Sequence, residues 1–355
     1  MPNFSLSPDP LKILVFGAGA IGTYIGGSLA LAGHHVVFVE RPEVAEFIRQ
    51  NGMRLTLNGS SFVLQPASIA VLPSLEVALA SGPFDVALFA LKSFDTASLL
   101  HSLYPSPHPL PPILCLSNGV DNEPTLAEVL GPEKVIYGTV TTAIGRRAAG
   151  DIVVEKLRGT GVAAGHPLSE RLADAMNTAG LNTQLFPKAA DMKWSKMLTN
   201  LLANATSAIL DLTPAEIFAN PRLCNLEVEQ LREALRVMTK LGINVVDLPK
   251  TPVRLLALGV RLPPGISRPL LARAVGGGRG AKLPSFHIDL HAGRGQSEVE
   301  YLNGAVVRYG QRVGVPTPVN RLLTETLLAL TRGEIALDEY AGKPEKLLQG
   351  LRERG

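Results

Sequence analysis

Leu11-Lys12-Ile13-Leu14-Val15-Phe16 runs without a break into Gly17-Ala18-Gly19-Ala20-Ile21-Gly22, and this stretch decides how the chain is read. The first six residues form a short, β-rich apolar run, the texture of a buried strand. Ile21 to Ala32 has helical texture and stops at Gly33. G-x-G-x-x-G alone is weak evidence, but between a strand and a helix it is a dinucleotide-binding fingerprint. Gly17 permits the tight turn, Gly19 lets a pyrophosphate approach the backbone, and Gly22 lets the helix pack closely on the strand. Ala18, Ala20 and Ile21 complete the loop. The first turn of the helix offers free N–H groups and a partial positive charge to the phosphates.

Downstream, Val36-Val37-Phe38-Val39, Asp85–Leu91, Pro112–Leu116 and Lys134–Val140 read as further buried strands, and Glu43–Gln50 as a helix. Apolar runs of this length separated by helices indicate a mostly parallel, doubly wound sheet covered on both faces. Arg54–Leu57 and Phe62–Leu64, joined through Asn58-Gly59, read as an inserted hairpin. After Pro187 the texture becomes helical: Ala190–Leu210 as one long helix, then Arg222–Leu241, Ser297–Gly314 and Thr317–Leu330. The expected organisation is an α/β Rossmann domain over 1–187 and an all-α domain over 188–355. The segment Asp247–Lys282 is rich in Pro, Gly and Arg, and Gly276–Gly280 reads as a mobile loop. Arg268, Arg273, Arg279 and Lys282 there offer charge for an anionic substrate group, or simply a solvated basic surface.

Composition narrows the classes. The 355 residues suit two domains, and 46% hydrophobic with 18% charged residues is a globular balance. A net charge of +3, with no basic run interleaved with aromatics, disfavours nucleic acid as a partner. No stretch approaches the uninterrupted apolar length of a membrane span. The start has no basic n-region and no long apolar run, so no secretory signal is read. Cys115 and Cys224 form no metal or disulfide pattern, which fits a reducing, cytoplasmic compartment.

Several polar residues are candidates for chemistry. Glu40-Arg41 ends the second strand, where a residue reading the adenosine ribose is expected. A carboxylate there favours NAD and an arginine favours NADP, so the pair leaves the choice open. Lys92 and Asn118-Gly119 follow strands and so sit where open α/β sheets bind ligands. Lys196, Asn200 and Asn204 are spaced i, i+4, i+8 on the long helix, one face amid apolar neighbours. Amides and a desolvated lysine suit a carboxylate, a carbonyl oxygen and general-acid work; a solvated face is the plainer reading. His287 and His291 are spaced like half of a zinc helix, but no further ligands are found, so no metal is expected.

These motifs, in this order, resemble the ketopantoate reductase (2-dehydropantoate 2-reductase) family, within the 6-phosphogluconate-dehydrogenase-like group. The resemblance runs from Lys12–Gly22 through Leu91-Lys92, Ser117-Asn118-Gly119-Val120 and Tyr137–Thr141. It continues through Lys193-Trp194-Ser195-Lys196-Met197-Leu198-Thr199-Asn200, Pro284-Ser285 and Ser297–Gly304. It implies NADPH-dependent reduction of ketopantoate to pantoate, a step toward pantothenate and coenzyme A, in a cleft between the domains. By the same resemblance Lys196 is the general acid and Glu298 sets its charge and position. Asn118, Asn200, Asn204 and Ser285 hold substrate, Lys92 lies by the nicotinamide ribose, and Arg41 meets the 2′-phosphate. Glu40 beside Arg41 keeps NADH open. Where the family usually continues Met-Leu-Gln-Asp after Pro-Ser, this chain has Phe286-His287-Ile288-Asp289. Another small 2-oxo acid as substrate, or a non-catalytic NAD(P) sensor on the same fold, are the rival readings. A homodimer formed through the helical domain is compatible with the sequence.

Overall fold

The computed structural model describes residues 5–103, 108–263, 267, 271 and 283–352. The glycine-rich loop 276–280 and Arg268, Arg273, Arg279 and Lys282 lie outside the described residues. The chain forms two compact units, Met1–Lys193 with Leu248–Thr251, and Trp194–Asp247 with Pro252–Gly355. The first unit thus runs on to Lys193, six residues past Pro187. The physical reason is that Lys193 is buried among strand-end carbonyls of the first unit, as described below.

The first unit is built on strands β1 (Lys12–Phe16), β2 (His35–Val39), β5 (Ala70–Leu72), β6 (Val86–Phe89), β7 (Ile113–Cys115), β8 (Val135–Val140), β11 (Thr160–Ala163) and β12 (Thr183–Phe186). They form one eight-stranded sheet in the order β12-β11-β8-β7-β6-β1-β2-β5, parallel except where β11 meets β8. Alternation along β1 shows why the sheet is doubly wound. Ile13 and Val15 enter a core with Tyr24, Ile25 and Leu29 of helix α1 (Ala20–Leu31). Leu14 and Phe16 enter a second core with Ala78, Leu79 and Leu126, from helices α3 (Leu75–Ala80) and α5 (Asn122–Leu130). Both faces of β1 are thus dry, as its continuous apolar run demands.

The expected hairpin is present as β3 (Met53–Leu57) and β4 (Ser60–Leu64). It belongs to a second sheet, order β4-β3-β10-β9, completed by β9 (Ala143–Ala148) and β10 (Asp151–Lys156). The sequence reading missed these last two strands. β9 carries Gly145, Arg146 and Arg147 and is largely exposed, so it lacks the apolar run that marks a buried strand.

The second unit is helical. Its principal elements are α8 (Asn204–Leu210), α10 (Pro221–Lys240), α11 (Val253–Arg261), α12 (Ser285–His291), α13 (Asn303–Val313), α14 (Pro318–Thr331) and α15 (Pro344–Arg352), and α7 (Ala189–Leu201) runs into it from the first. α10 starts on Pro221, with the Asn220 side chain accepting from the N–H groups of Arg222 and Leu223. Ser297–Gly314 is not one helix: a short 3-10 turn over Glu298–Tyr301 precedes α13.

The expected helix Ala190–Leu210 is likewise two helices. Ala203 between them has φ +55°, and Glu227 from α10 supplies the reason. Its fully buried carboxylate accepts from the Ala203 N–H at 2.6 Å and from the Thr206 hydroxyl at 2.5 Å, and Gln230 donates to it as well. The carboxylate caps the start of α8 from outside the local sequence. Burial outweighs these donors and pushes the Glu227 pKa from its ordinary 4.5 up to about 7. The folded state therefore holds this proton more tightly than the unfolded state. Stability falls as pH rises from about 4.5 to about 7, by on the order of 3 kcal/mol. Urea midpoints at about pH 5 and about pH 8 should differ less in Glu227→Gln than in the native chain. An equal pH dependence in both would assign it elsewhere.

Candidate functional site

The glycine loop has the geometry its motif calls for. Gly17 sits at φ +87°, a region where a side chain is strained. A Cβ on Gly22 would lie 1.9 Å from the Gly17 carbonyl oxygen, so helix and loop touch there with no room for a methyl group. A Cβ on Gly19 would meet nothing within 4 Å, leaving open space at the mouth of α1. The helix takes no side-chain cap and has no acidic residue in its first turn. These features fit a dinucleotide pyrophosphate, whose charge the uncapped helix end would meet.

At the end of β2, the two charges expected to read the ribose behave differently. Glu40 turns toward the loop: one carboxylate oxygen accepts from the Ala18 N–H at 2.6 Å, and the other from the Arg41 N–H at 3.1 Å. The Arg41 side chain is exposed and lies 3.6 Å from Glu43.

The order of the sheet reverses at β1, which has β2 on one side and β6 on the other. This is a topological switch point, the usual ligand crevice of such sheets. Lys92 and Asn118 follow β6 and β7 and are half-buried. The two loops are stitched together. The Ser117 hydroxyl donates to the Leu91 carbonyl at 2.8 Å, while Ser93 and Asn122 donate to the Asn118 carbonyl at 3.0 and 2.7 Å. The backbone around Asn118 is thereby fixed.

Below the loop lies a buried ion pair that the sequence reading did not single out. The Lys193 ammonium is 2.6 Å from a Glu123 carboxylate oxygen, with side chains only 4% and 0% exposed. It also donates to the carbonyls of Ser117 and Gly138, at 2.7 and 3.2 Å. Burial pushes the Glu123 carboxyl above its ordinary value, opposed by Lys193. Cys115 is buried beside it, and burial, then Glu123, raise its thiol far above the usual range, so it is no nucleophile. Only the spacing Glu123 to Lys193 was available in sequence, and nothing local links them.

In the second unit, Lys196 and Asn200 lie one turn apart on α7 and are half-buried. Asn204 is not the next step of the same row, because the helix breaks at Ala203. Its amide is engaged with α12: the oxygen accepts from the Phe286 N–H at 3.0 Å, and the nitrogen approaches the Ser285 hydroxyl at 3.4 Å and the Asn200 carbonyl at 3.1 Å. Asn204 and Ser285 are thus brought together, with Asn204 buried and Ser285 exposed at the start of α12. Glu298 is buried in the 3-10 turn that Ser297 caps through the Val299 N–H. Among the described residues no helix is long and apolar enough to cross a membrane.

A dinucleotide loop at the switch point of a parallel sheet, followed by a helical unit, defines a dinucleotide-binding protein of the class that includes the nicotinamide-dependent oxidoreductases. More specifically, the chain belongs to the ketopantoate reductase family: the profile "Ketopantoate reductase PanE/ApbA" matches residues 13–165, and its C-terminal counterpart matches 188–331. A 2-dehydropantoate 2-reductase of Mesorhizobium japonicum is 29% identical over 350 residues, covering 91% of this chain and 97% of its own. One of Pyrococcus horikoshii is 25% identical, covering 88% and 95%. Among solved structures, a PanE/ApbA family ketopantoate reductase of Ralstonia eutropha aligns with TM-score 0.77 at 25% identity, covering 91% of this chain and 99% of its own. A D-mandelate dehydrogenase solved with NADH and anilino(oxo)acetate has the same fold, with TM-score 0.73 at 20% identity.

Proposed function

We propose that the chain reduces ketopantoate to pantoate with NADPH, a step toward pantothenate and coenzyme A. The observation that carries this reading is that both family profiles match and that Lys196 and Asn200 stand in the family's W-x-K-x-x-x-N pattern on α7. When bound, the nicotinamide supplies the hydride that reaches the ketone carbon. Gly17, Ala18, Gly19, Ala20, Ile21 and Gly22 would hold its pyrophosphate, and Lys92 and Asn118 would line the nicotinamide end. Negative charge then collects on the former carbonyl oxygen, and the Lys196 ammonium stabilises and protonates it. Glu298 keeps that lysine charged and aimed. Asn118, Asn200 and Ser285 hold the substrate's carboxylate and hydroxyl, while Asn204 acts chiefly by fixing Ser285.

NADPH is the preferred donor in this reading because the exposed Arg41 guanidinium can meet the 2′-phosphate, whereas Glu40 is turned back on the loop backbone. Arg41→Ala is expected to raise the KM for NADPH roughly 10- to 100-fold, the scale of a charged hydrogen bond, with NADH little changed. Improved NADPH use in Glu40→Ala, with no effect of Arg41→Ala, would instead make Glu40 a determinant for NADH.

A second reading, reduction of another small 2-oxo acid, has one observation behind it. The segment after Ser285 is Phe286-His287-Ile288-Asp289, and Phe286 and His287 are buried. Oxidation of NADPH and NADH, followed by the absorbance of the reduced nicotinamide with ketopantoate and with a panel of 2-oxo acids, separates the two. Turnover with ketopantoate in clear excess supports the proposal, turnover only with another acid moves the substrate, and cofactor binding with no turnover favours a sensor.

A further inference from the structure

The end of α8 and the face of α12 bring together three side chains that the reductase reading does not use. Asp211 follows α8 in the left-handed conformation, at φ +53°. His287 and His291 lie one turn apart on α12, with rings stacked at 4.3 Å. Both Nε2 atoms approach the same Asp211 oxygen, at 3.2 Å from His287 and 3.7 Å from His291. One ligand atom from each of the three residues falls within 4.8 Å of the others. Bonds of about 2.0–2.1 Å in a tetrahedron place ligand atoms roughly 3.3 Å apart, and the two histidine–aspartate separations of 3.2 and 3.7 Å suit a common ion.

Hydrogen bonding fixes how His287 presents itself. Its Nδ1 faces the Ser207 carbonyl at 3.1 Å, and a carbonyl only accepts, so Nδ1 carries a proton. The Ser207 hydroxyl, 3.3 Å from Nδ1, gives its own proton to the Leu212 carbonyl and is also an acceptor toward the ring. In the neutral ring the Nε2 lone pair therefore points at a carboxylate oxygen. A cation held between Nε2 and the carboxylate oxygen, 3.2 Å apart, would satisfy both lone pairs. A backbone carbonyl orienting the far nitrogen is the usual outer partner of a metal-bound histidine.

We propose that Asp211, His287 and His291 form a site for one divalent ion of the zinc class. Two imidazoles and a carboxylate match the donor preference of Zn²⁺ over Ca²⁺ or Mg²⁺. Asp211 and His291 are partly exposed, at 52% and 33%, which leaves an entry path and a fourth position for water. The ion ties the end of α8 to α12, the two helices that carry Asn204 and Ser285. The third ligand stands 76 positions from His287 in the chain (211 against 287), which is why the histidine pair alone shows no site in sequence.

The test uses the full chain without any histidine tag, titrated with Zn²⁺ against a chromogenic chelator and with Co²⁺ followed by its visible absorption. One ion per chain is expected, with affinity at least tenfold weaker in His291→Ala and in Asp211→Asn, and unchanged in His166→Ala. Asparagine tolerates the left-handed conformation at 211, so that variant keeps its backbone. Absence of stoichiometric binding, or binding that neither His291→Ala nor Asp211→Asn weakens, overturns the proposal. Neither outcome depends on which oxo acid the chain reduces.

Discussion

Lys193→Met is expected to destabilise the chain by about 3–5 kcal/mol, because it leaves the Glu123 carboxylate buried and unpaired. The expectation rests on burial as much as on distance: both side chains are almost wholly out of water, and Lys193 Nζ lies 2.6 Å from the carboxylate. The Ser117 and Gly138 carbonyls lose their shared donor at the same time. Exposed pairs such as Arg41–Glu43 carry no such expectation, since water and salt screen them. Glu123 already has a raised pKa from burial, and without the lysine it rises further, so the variant takes up a proton on folding. Its deficit should grow as pH rises, because an unpaired buried carboxyl is tolerated only while protonated. Urea unfolding followed by the single tryptophan, Trp194, adjacent to the substituted residue, reads this directly. Lys193→Met combined with Glu123→Leu should recover much of the loss, since an apolar pair often replaces a buried ion pair at little cost. A change below about 1 kcal/mol in the single variant would mean that the pair contributes little to the fold.

Lys196→Ala is expected to lower turnover by roughly a hundredfold or more, the scale of losing a general acid, while nicotinamide binding stays close to native. Alanine preserves helix propensity, and Lys196 is half-buried, so the fold should survive. Lys196→Arg keeps the charge but gives up its proton far less readily, and should recover substrate affinity more than turnover. Equal turnover in Lys196→Ala and the native chain, with folding intact, would remove Lys196 from the reaction.

The centre of the first unit is legible because its signals are local, whereas the short strands β5, β11 and β12 have no such signal. An apolar run ending in G-x-G-x-x-G sits within a dozen residues, and β1, its loop and α1 appear where the reading put them. The hairpin at Asn58-Gly59 was legible for the same reason. What was misread depends on groups distant in sequence. The long helical pattern through Ala190–Leu210 breaks because Glu227 caps Ala203 and Thr206 from another helix. Apolar periodicity continues across the break, so pattern alone gives no warning. β9 escaped notice because an exposed strand with Arg146 and Arg147 has no buried run. Lys92, Asn118, Lys196, Asn200 and Asn204 are picked out by strand ends and helical spacing, Glu298 and Ser285 by the family resemblance, and the structure adds what surrounds them: the bonds that hold the Asn118 loop, the Asn204–Ser285 contact and the Lys193–Glu123 pair. Asp211 illustrates the limit. Its identity as an acid is visible in sequence, but its nearness to His287 and His291 is a product of tertiary packing.

The central claim is that a hydride passes from a nicotinamide to the ketone carbon of a 2-oxo acid while Lys196 protonates the oxygen. The most direct test supplies NADPH deuterated at both C4 positions with ketopantoate and analyses the product by mass spectrometry and NMR. Pantoate carrying one deuterium at C2 is expected, formed slowly or not at all by Lys196→Ala. Oxidation of the cofactor with no deuterium in the acid, or no oxidation with any 2-oxo acid by a chain that binds the cofactor, would contradict it.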